Sequence, residues 1–224
     1  MRDEDGLPNA LPPLAPALER IGRAYGSAVE RHGPRAGGVG WSSETGQMLR
    51  LRVLMRILDD APPAVPVSIA DLGCGYGALW PLLAGHAAPR VAAYTGYDIC
   101  RPMIARARAL HGADPRVRFL LADAALEDAD YGMVSGTFNF RDGESEADWV
   151  AYLRASLRAF AGCCRKGLAF NLLHRRTARH LKSMYYADPA EMAAFARTIA
   201  RGGTVAVIDD YLPDDFTVLV RFGA

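Results

Sequence analysis

Short apolar runs and helical periods alternate along most of this chain. Apolar positions at helical spacing predict one helix over Ala17–Arg31 and a second over residues 43–58, which starts at the capping serines Ser42 or Ser43 and stops at Pro62. Beyond Pro62, apolar runs of strand length alternate with helical segments. This alternation is typical of an α/β fold with a mostly parallel sheet.

Seven apolar runs are predicted as strands. The last two are joined by the short polar link Pro213-Asp214-Asp215, which suits a hairpin and therefore an antiparallel strand near the edge of the sheet. Prolines near helix starts, such as Pro81 and Pro102, mark helices between the strands. The predicted strands lie near residues 69–72, 91–98, 116–124, 131–137, 168–173, 204–211 and 216–222, and the later helices over 147–162 and 189–200.

The sequence divides into three parts. Residues 1–16 are rich in proline and charge, which predicts a disordered or loosely docked tail. Residues 17–64 form the predicted helical segment, in which a glycine-rich stretch from His32 to Trp41 separates the two helices. Residues 65–224 form the predicted α/β domain, and a chain of 224 residues is long enough for one substantial core.

Composition and charge narrow the class of protein. The formal net charge is +1, so charge gives no reason to expect a nucleic-acid partner, and no apolar run approaches the ~20 residues that span a bilayer. The four cysteines show neither a disulfide framework nor metal-ligand spacing, so no metal is predicted. We therefore expect a cytoplasmic protein, monomeric or homodimeric, with no nucleic-acid or membrane partner.

A glycine-rich turn follows the first predicted strand, with the sequence Asp71-Leu72-Gly73-Cys74-Gly75-Tyr76-Gly77. Its glycines let a ligand approach the backbone closely, and amides that open the following helix can face that ligand. Gly73, Gly75 and Ala78 also match the dinucleotide fingerprint, which makes an NAD site one alternative. Asp71 argues against NAD, because a carboxylate repels a pyrophosphate and attracts an ammonium group such as that of S-adenosylmethionine (SAM).

The pattern D-x-G-x-G-x-G resembles motif I of the class I SAM-dependent methyltransferases. The resemblance covers about residues 65–222 and implies a Rossmann-like three-layer sandwich with the strand order 3-2-1-4-5-7-6. Residues 38–58 and 185–222 resemble uncharacterised bacterial methyltransferases, so no particular acceptor is implied. The resemblance also implies that the methionine half of the cofactor is lined by the residues of the turn, namely Asp71, Gly73, Cys74, Gly75 and Gly77.

A second acid ends the second predicted strand. Asp98 follows Gly75 by 23 residues, close to the spacing of about 20 at which an acid meets a ribose diol in βαβ nucleotide folds. The alternative is a structural acid that caps the helix of Pro102, although proline at the first helical position would put that cap at Arg101. The residues assigned here to the cofactor are Asp98, Ile99 and Met103.

A third acid ends the third predicted strand. Open α/β sheets bind ligands outside the carboxyl ends of their strands, so Asp71, Asp98 and Asp123 should converge on one crevice. In the methyltransferases that this chain resembles, the pair matching Asp123-Ala124 meets the adenine edge. For Asp123 taken alone, the alternative is a surface loop acid.

The fourth predicted strand runs into the segment Ser135-Gly136-Thr137-Phe138-Asn139. This segment lacks the N/D-P-P-Y/F tetrapeptide of many amino-methylating nucleic-acid enzymes, so nucleic-acid methylation loses support. The segment is expected where methyl donor and acceptor meet, and a plain turn with a buried phenylalanine is the alternative. We assign Ser135 to the cofactor, and we assign to the acceptor Trp41, Phe138, Asn139 and Asn171.

Methyl transfer requires few catalytic side chains, because the sulfonium of SAM is already an activated electrophile. The protein must mainly align the reactants and exclude water. An oxygen or nitrogen acceptor can need a base, for which His174 is the candidate, with a solvated or structural histidine as the alternative. Tyr185 and Tyr186 are expected to shape or gate the acceptor pocket. His32 and Trp41 belong to a segment that is expected to fold over the site as a lid.

The predicted function is SAM-dependent methyl transfer to an oxygen or nitrogen of a small-molecule acceptor. A SAM-binding subunit or pseudoenzyme that organises a partner is one alternative, because its binding motifs would look identical. An NAD-dependent reductase is the other alternative. The lack of a Tyr-x-x-x-Lys pair near the fifth strand counts against the reductase.

Overall fold

The computed structural model of this protein describes residues 14–87 and 89–223. Residues 1–13, which make up most of the predicted tail, lie outside the described residues. The helices are α1 (Ala15–His32), α2 (Glu44–Met55), α3 (Trp80–Ala84), α4 (Arg101–His111), α5 (Glu146–Gly162) and α6 (Pro189–Ile199). Short 3₁₀ turns follow α1 at Ala36–Val39 and α2 at Arg56–Leu58. The strands are β1 (Val67–Leu72), β2 (Val91–Asp98), β3 (Val117–Leu121), β4 (Ala129–Ser135), β5 (Cys164–Leu173), β6 (Thr204–Ile208) and β7 (Asp215–Arg221).

The strands form one seven-stranded sheet in the order β3-β2-β1-β4-β5-β7-β6, which confirms the predicted fold class and order. Neighbouring strands are parallel from β3 to β5, whereas β7 runs antiparallel to both β5 and β6. After β3 the chain returns to place β4 beside β1, so the strand order reverses between β1 and β4. In open α/β sheets, ligands bind outside the carboxyl ends of the strands at such a point.

Helices cover both faces of the sheet and make a three-layer sandwich. On one face α5 and α6 bury Trp149 and Phe195. On the other face α2, α3 and α4 bury Leu54, Leu83 and Ile104. The central strands are therefore apolar on both sides, as is usual for a covered parallel sheet. Within the described residues, no helix combines the length and the apolarity needed to cross a membrane.

Local capping explains where two helices begin. Ser43 accepts a hydrogen bond from the Gly46 amide at 3.0 Å and so starts α2, which selects one of the two predicted capping serines. Helix α4 starts at Arg101 with Cys100 as its N-cap residue, so the expected cap at Arg101 was wrong by one residue. The reason is that Pro102 occupies the second helical position, where its missing N–H is equally harmless.

A buried ion pair joins α2 to the start of β7. The Arg50 guanidinium pairs with the Asp215 carboxylate, and both side chains are almost fully shielded from solvent. Arg50 also lies over the Trp41 ring, 4.2 Å from the ring centroid, in a cation–π contact. Loss of either partner would leave a buried charge without compensation, so the pair is a strong constraint on this part of the fold. It holds Trp41 against the sheet.

Candidate active site

The glycine-rich turn connects β1 to α3 at the carboxyl edge of the sheet. Gly73, Gly75 and Gly77 have positive φ angles of 76°, 55° and 82°. A Cβ on Gly73 would lie 2.2 Å from the Thr137 Oγ1, so only glycine fits there. The Gly73 amide donates to the Tyr97 carbonyl at 2.8 Å, which fastens the turn to β2. Gly73 and Gly75 line a cleft above the sheet.

Two residues of the turn support it from below instead of lining the cleft. Cys74 is buried, and its amide donates to the Tyr97 carbonyl at 3.0 Å. A Cβ on Gly77 would lie 2.8 Å from the His111 ring and 3.0 Å from the Phe119 ring, so Gly77 allows α4 and β3 to pack closely. Helix α3 starts only at Trp80, so the predicted helix does not follow the glycine turn directly.

Asp71 also lies beneath the turn. Its side chain is 3% exposed and accepts a hydrogen bond from the Tyr94 hydroxyl at 2.6 Å. Burial raises the pKa of Asp71 to about 7, and the Tyr94 hydrogen bond opposes part of that rise. Asp71 is therefore not among the residues that line the cleft, and the contact that the structure gives it joins β1 to β2. This position gives no support to the predicted attraction between Asp71 and a cofactor ammonium.

Asp98 lies at the end of β2 and lines the cleft. Its Oδ2 accepts a hydrogen bond from the Gly75 amide and its Oδ1 from the Cys100 amide, both at 2.8 Å. Burial raises the pKa of Asp98, while these backbone hydrogen bonds lower it. Each carboxylate oxygen has two lone pairs, so both oxygens keep capacity for a further donor. The structural and the ribose-binding interpretations of Asp98 are thus compatible.

The far end of the cleft, beside Asp98, combines apolar surface with a second carboxylate. Ile99 and Met103 line it from the loop before α4 and from the first turn of α4. Asp123 lines it from the residues that follow β3, whereas Ala124 does not. Of the three predicted acids, the structure therefore brings Asp98 and Asp123 to one cleft.

The end of β4 and the segment after it form a wall that adjoins the glycine turn, where the Thr137 hydroxyl donates to the Leu72 carbonyl at 2.8 Å. Ser135, Gly136, Thr137 and Phe138 all line the cleft. Asn171 stands behind this wall, where its Oδ1 accepts from the Gly136 amide at 2.8 Å and its Nδ2 donates to the Ser135 Oγ at 3.1 Å. Asn171 positions the wall and lines neither cavity described here, so its predicted contact with an acceptor is not supported.

The N-terminal helix and the loop after it lie opposite the sheet and cover the cleft. We call α1 together with residues 33–41 the roof. Leu18, Ile21 and Tyr25 of α1, and Val39 and Trp41 of the loop, line the cleft from the roof side. The α1 residues are predicted as helical from the sequence but not as part of the site. The apolar stripe of this helix indicates that one of its faces packs on another part of the protein.

Two aromatic residues of α5 complete the cleft and had no sequence signal. Trp149 and Tyr152 line it behind Phe138, and the Trp149 Nε1 donates to the Phe138 carbonyl at 2.8 Å. Burial raises the pKa of Tyr152 to about 12, so its phenol stays protonated near neutral pH. These residues belong to the site only through the packing of α5 on the sheet.

A second cavity adjoins the cleft. The two share the walls Tyr25, Val39, Trp41 and Gly136. Asn139 and His32 line the second cavity, as do Phe140, Leu181 and Met184. The acceptor residues predicted at Trp41 and Asn139 are thus brought together, with Phe138 on the neighbouring wall of the cleft.

The predicted catalytic residues line neither cavity. His174 accepts a hydrogen bond from the Arg176 amide at its Nδ1, at 3.0 Å, near the antiparallel edge of the sheet. Tyr185 is 3% exposed within the core, and the Tyr186 ring stacks on His180 at 4.1 Å. These positions give no support to a base role for His174 or to a gating role for the tyrosines.

Comparisons with known proteins agree with this geometry. A family profile described as "Methyltransferase domain" matches residues 69–161. A Mycobacterium tuberculosis (strain ATCC 25618 / H37Rv) protein named "Putative methyltransferase Rv1506c" is 34% identical over 169 residues, which cover 75% of this chain and 98% of that protein. The chain therefore belongs to the methyltransferase family, and its fold is that of the SAM-dependent class I enzymes.

Solved structures share the fold at low sequence identity. DhpI in complex with S-adenosylhomocysteine (SAH) has a TM-score of 0.62 and 18% identity, with 92% of this chain and 97% of that chain covered. The N-methyltransferase NodS from Bradyrhizobium japonicum WM9 in complex with SAH also has a TM-score of 0.62, with 14% identity and coverage of 90% of this chain and 100% of that chain.

Replacing Asp98 by alanine should weaken SAH binding about tenfold to a hundredfold, because charge-assisted hydrogen bonds contribute about 1.5–3 kcal/mol. The variant should also melt at a lower temperature, since the Gly75 and Cys100 amides lose their acceptor. Calorimetric titration well below that temperature measures the affinity. Asp114→Ala, at a partly exposed acid paired with Arg116 away from the cleft, is the control and should bind normally. Unchanged affinity with a lowered melting temperature would leave Asp98 a structural role alone.

Proposed function

We propose that this protein transfers a methyl group from SAM to an oxygen or nitrogen of a small molecule. The observation that carries the proposal is the enclosure of the cleft. The glycine turn, Asp98 and Asp123 face it from the carboxyl edge of the sheet, and the roof covers it from the other side. An enclosed site of this kind suits a reaction that needs alignment and the exclusion of water.

The residues of the cleft fit the cofactor. Asp98 would hold the ribose hydroxyls, and Asp123 with the apolar Ile99 and Met103 would hold the adenine. The glycine turn would take the methionine half, where the absence of a Cβ at Gly75 leaves room up to Val39. When bound, SAM supplies a methyl group on a sulfonium, which is already an activated electrophile. The chain's own contribution is to bind, to orient and to keep water out.

The covered site favours a small acceptor over a nucleic acid. Of the residues that the structure describes, none that line the cleft or the second cavity is a lysine or an arginine, the side chains that contact phosphate backbones. The roof would also have to lift far from the sheet to admit a polymer. The fold itself is compatible with many acceptors, so the site supports the class and not one compound.

A SAM-binding subunit without activity is the alternative, and it differs from the proposed enzyme only in that it transfers no methyl group. It would bind the cofactor in the same cleft and transfer no methyl group. The test is therefore a transfer assay, in which SAM labelled at the methyl group is incubated with the protein and a cell extract, and label is followed into small molecules, protein and nucleic acid. Label in the low-molecular-weight fraction supports the proposal, and label in none of the fractions supports the alternative.

Gly75→Arg should abolish SAH binding and any methyl transfer, because a side chain there points across the cleft towards Val39 and an arginine would meet the cofactor's positive charges. Gly202→Arg is a matched control, since Gly202 also has positive φ, at 78°, and has nothing within 4 Å of an added Cβ. Both variants place an arginine at a positive φ angle, and of the two positions only Gly75 lines the cleft. Calorimetry with SAH measures the outcome. Normal binding by Gly75→Arg, or tight NADH binding by the unaltered protein, would overturn the assignment.

We also propose that residues 33–40 of the roof move when the cofactor enters. The space within the cleft is about 100 Å³, below the ~300–1,000 Å³ that is typical of ligand pockets. Gly33 and Gly40 have positive φ angles of 74° and 81° and flank the moving segment, where glycine permits a hinge. Trp41 stays in place because Arg50 holds its ring. This restricts the predicted lid over His32–Trp41 to the part before Trp41.

Amide hydrogen exchange tests the lid. Residues 33–40 should exchange rapidly in the free protein and gain protection when SAH is bound, because closure over the ligand shields and orders them. A peptide from the edge strand β6 should show the same exchange with and without SAH and serves as the internal control. Equal exchange of residues 33–40 in both states, with SAH binding established by calorimetry, would contradict the lid.

A further inference from the structure

The second cavity lies where an acceptor would reach the cofactor cleft. It has a volume of about 320 Å³, within the usual range for a small-molecule site, and is bounded by α1, the loop after it, the segment after β4 and the residues before Tyr185. Tyr25, Val39, Trp41 and Gly136 form walls of both cavities. A molecule in the second cavity would therefore be separated from the cleft only by these shared walls.

The walls of the second cavity are aromatic and apolar. Tyr25 and Phe140 meet edge to face, with ring centroids 6.0 Å apart and an angle of 81° between the planes. Trp41 forms another wall and is kept in position by the Arg50 guanidinium behind it. Met184 adds a flexible apolar surface. A ligand with a flat ring would make a large contact area with these walls.

One residue that lines the second cavity has a buried polar atom without a hydrogen-bond partner. Asn139 is 3% exposed and lines the second cavity, and its Oδ1 accepts a hydrogen bond from the Leu173 amide at 3.1 Å. Because a backbone amide can only donate, this bond fixes the oxygen and turns the Nδ2 the other way. The Nδ2 has no partner within the protein and lies beside Gly136, 3.6 Å from where a Cβ on that residue would be. It is therefore a donor at the wall between the two cavities.

The charge of the cavity restricts its ligand further. Among the described residues that line it there is no aspartate, glutamate, lysine or arginine, and His32 is the one titratable group besides the phenol of Tyr25. A charged ligand would lose its hydration without gaining an ionic partner at the buried end. A neutral ligand with one acceptor atom would satisfy the Asn139 Nδ2 and leave the rest of its surface in apolar contact.

We propose that the methyl acceptor is an uncharged aromatic compound that carries a hydrogen-bond-accepting oxygen, and that this oxygen binds the Asn139 Nδ2. This inference rests on the proposed function, since it identifies the acceptor class for the same site. It assigns Asn139 a direct role in specificity. It also assigns Tyr25, Trp41 and Phe140 to the recognition of the ring system.

Matched probes test the proposal on the full-length protein saturated with SAH. 2-Acetylnaphthalene has the ring and the accepting oxygen, 2-ethylnaphthalene has the ring without the oxygen, and 2-naphthoate has the ring with a charge. Calorimetric titration should detect 2-acetylnaphthalene and give at least about tenfold weaker binding for the other two. Equal affinity of the ketone and the hydrocarbon, tighter binding of the carboxylate, or no binding of any probe while SAH binds would overturn the inference.

The variant Asn139→Asp tests the assigned atom. It keeps an oxygen to accept from the Leu173 amide and puts a carboxyl oxygen in place of the donating Nδ2, so 2-acetylnaphthalene should lose at least about tenfold in affinity while SAH affinity stays within about twofold. Full retention of ketone binding by a folded variant would overturn the role of the Nδ2. If the variant does not fold, the three probes on the unaltered protein decide the question. Failure of SAH itself to bind would count against the proposed function instead.

Discussion

The site depends on one partly buried carboxylate. Asp98 accepts hydrogen bonds from the Gly75 amide on one side and the Cys100 amide on the other, each at 2.8 Å, and so fastens the glycine turn to the entry of α4. Burial disfavours its charge and raises its pKa, and the two amides offset that cost by favouring the ionised form. The Asp98 side chain belongs to a residue that also lines the cleft. A side chain that shapes the turn is thereby also available to a ligand.

A buried ion pair at the antiparallel edge of the sheet also supports the site. The Arg50–Asp215 pair joins α2 to the first residue of β7, and Arg50 supports the Trp41 ring at 4.2 Å. Trp41 in turn forms a wall of both cavities. The closing hairpin of the sheet therefore contributes to the pocket although its strands lie outside it. This separates a fixed part of the roof, at Trp41, from the glycine-flanked part before it.

The fold and part of the site could be predicted because their signals are local. Apolar runs that end in Asp98 and Asp123 identify strands and place both acids at the carboxyl edge, where the structure finds them lining one cleft. Asp71 follows the same pattern, yet it is buried against Tyr94, because which way a strand-end side chain turns is decided by its neighbours in space. The sequence pattern does not carry that information.

The remaining parts of the site depend on packing between distant segments. His174 follows β5 as predicted, but β5 borders β7, and His174 lines neither cavity. In the segment before α6, Leu181 and Met184 line the second cavity and the tyrosines do not. The roof residues Leu18 and Ile21 belong to an apolar helical stripe, and such a stripe does not indicate which surface of the protein it packs against.

The proposal that Asp98 and Asp123 hold the two ends of the SAM nucleoside under the roof can be tested with a crystal structure of the SAH complex. We expect both ribose hydroxyls to donate to the Asp98 carboxylate at about 2.5–3.0 Å. We also expect the adenine to lie between Ile99 and Met103 next to Asp123, with Tyr25 and Val39 covering the ligand. A ribose held by other groups, with Asp98 bonded only to the Gly75 and Cys100 amides, would contradict it.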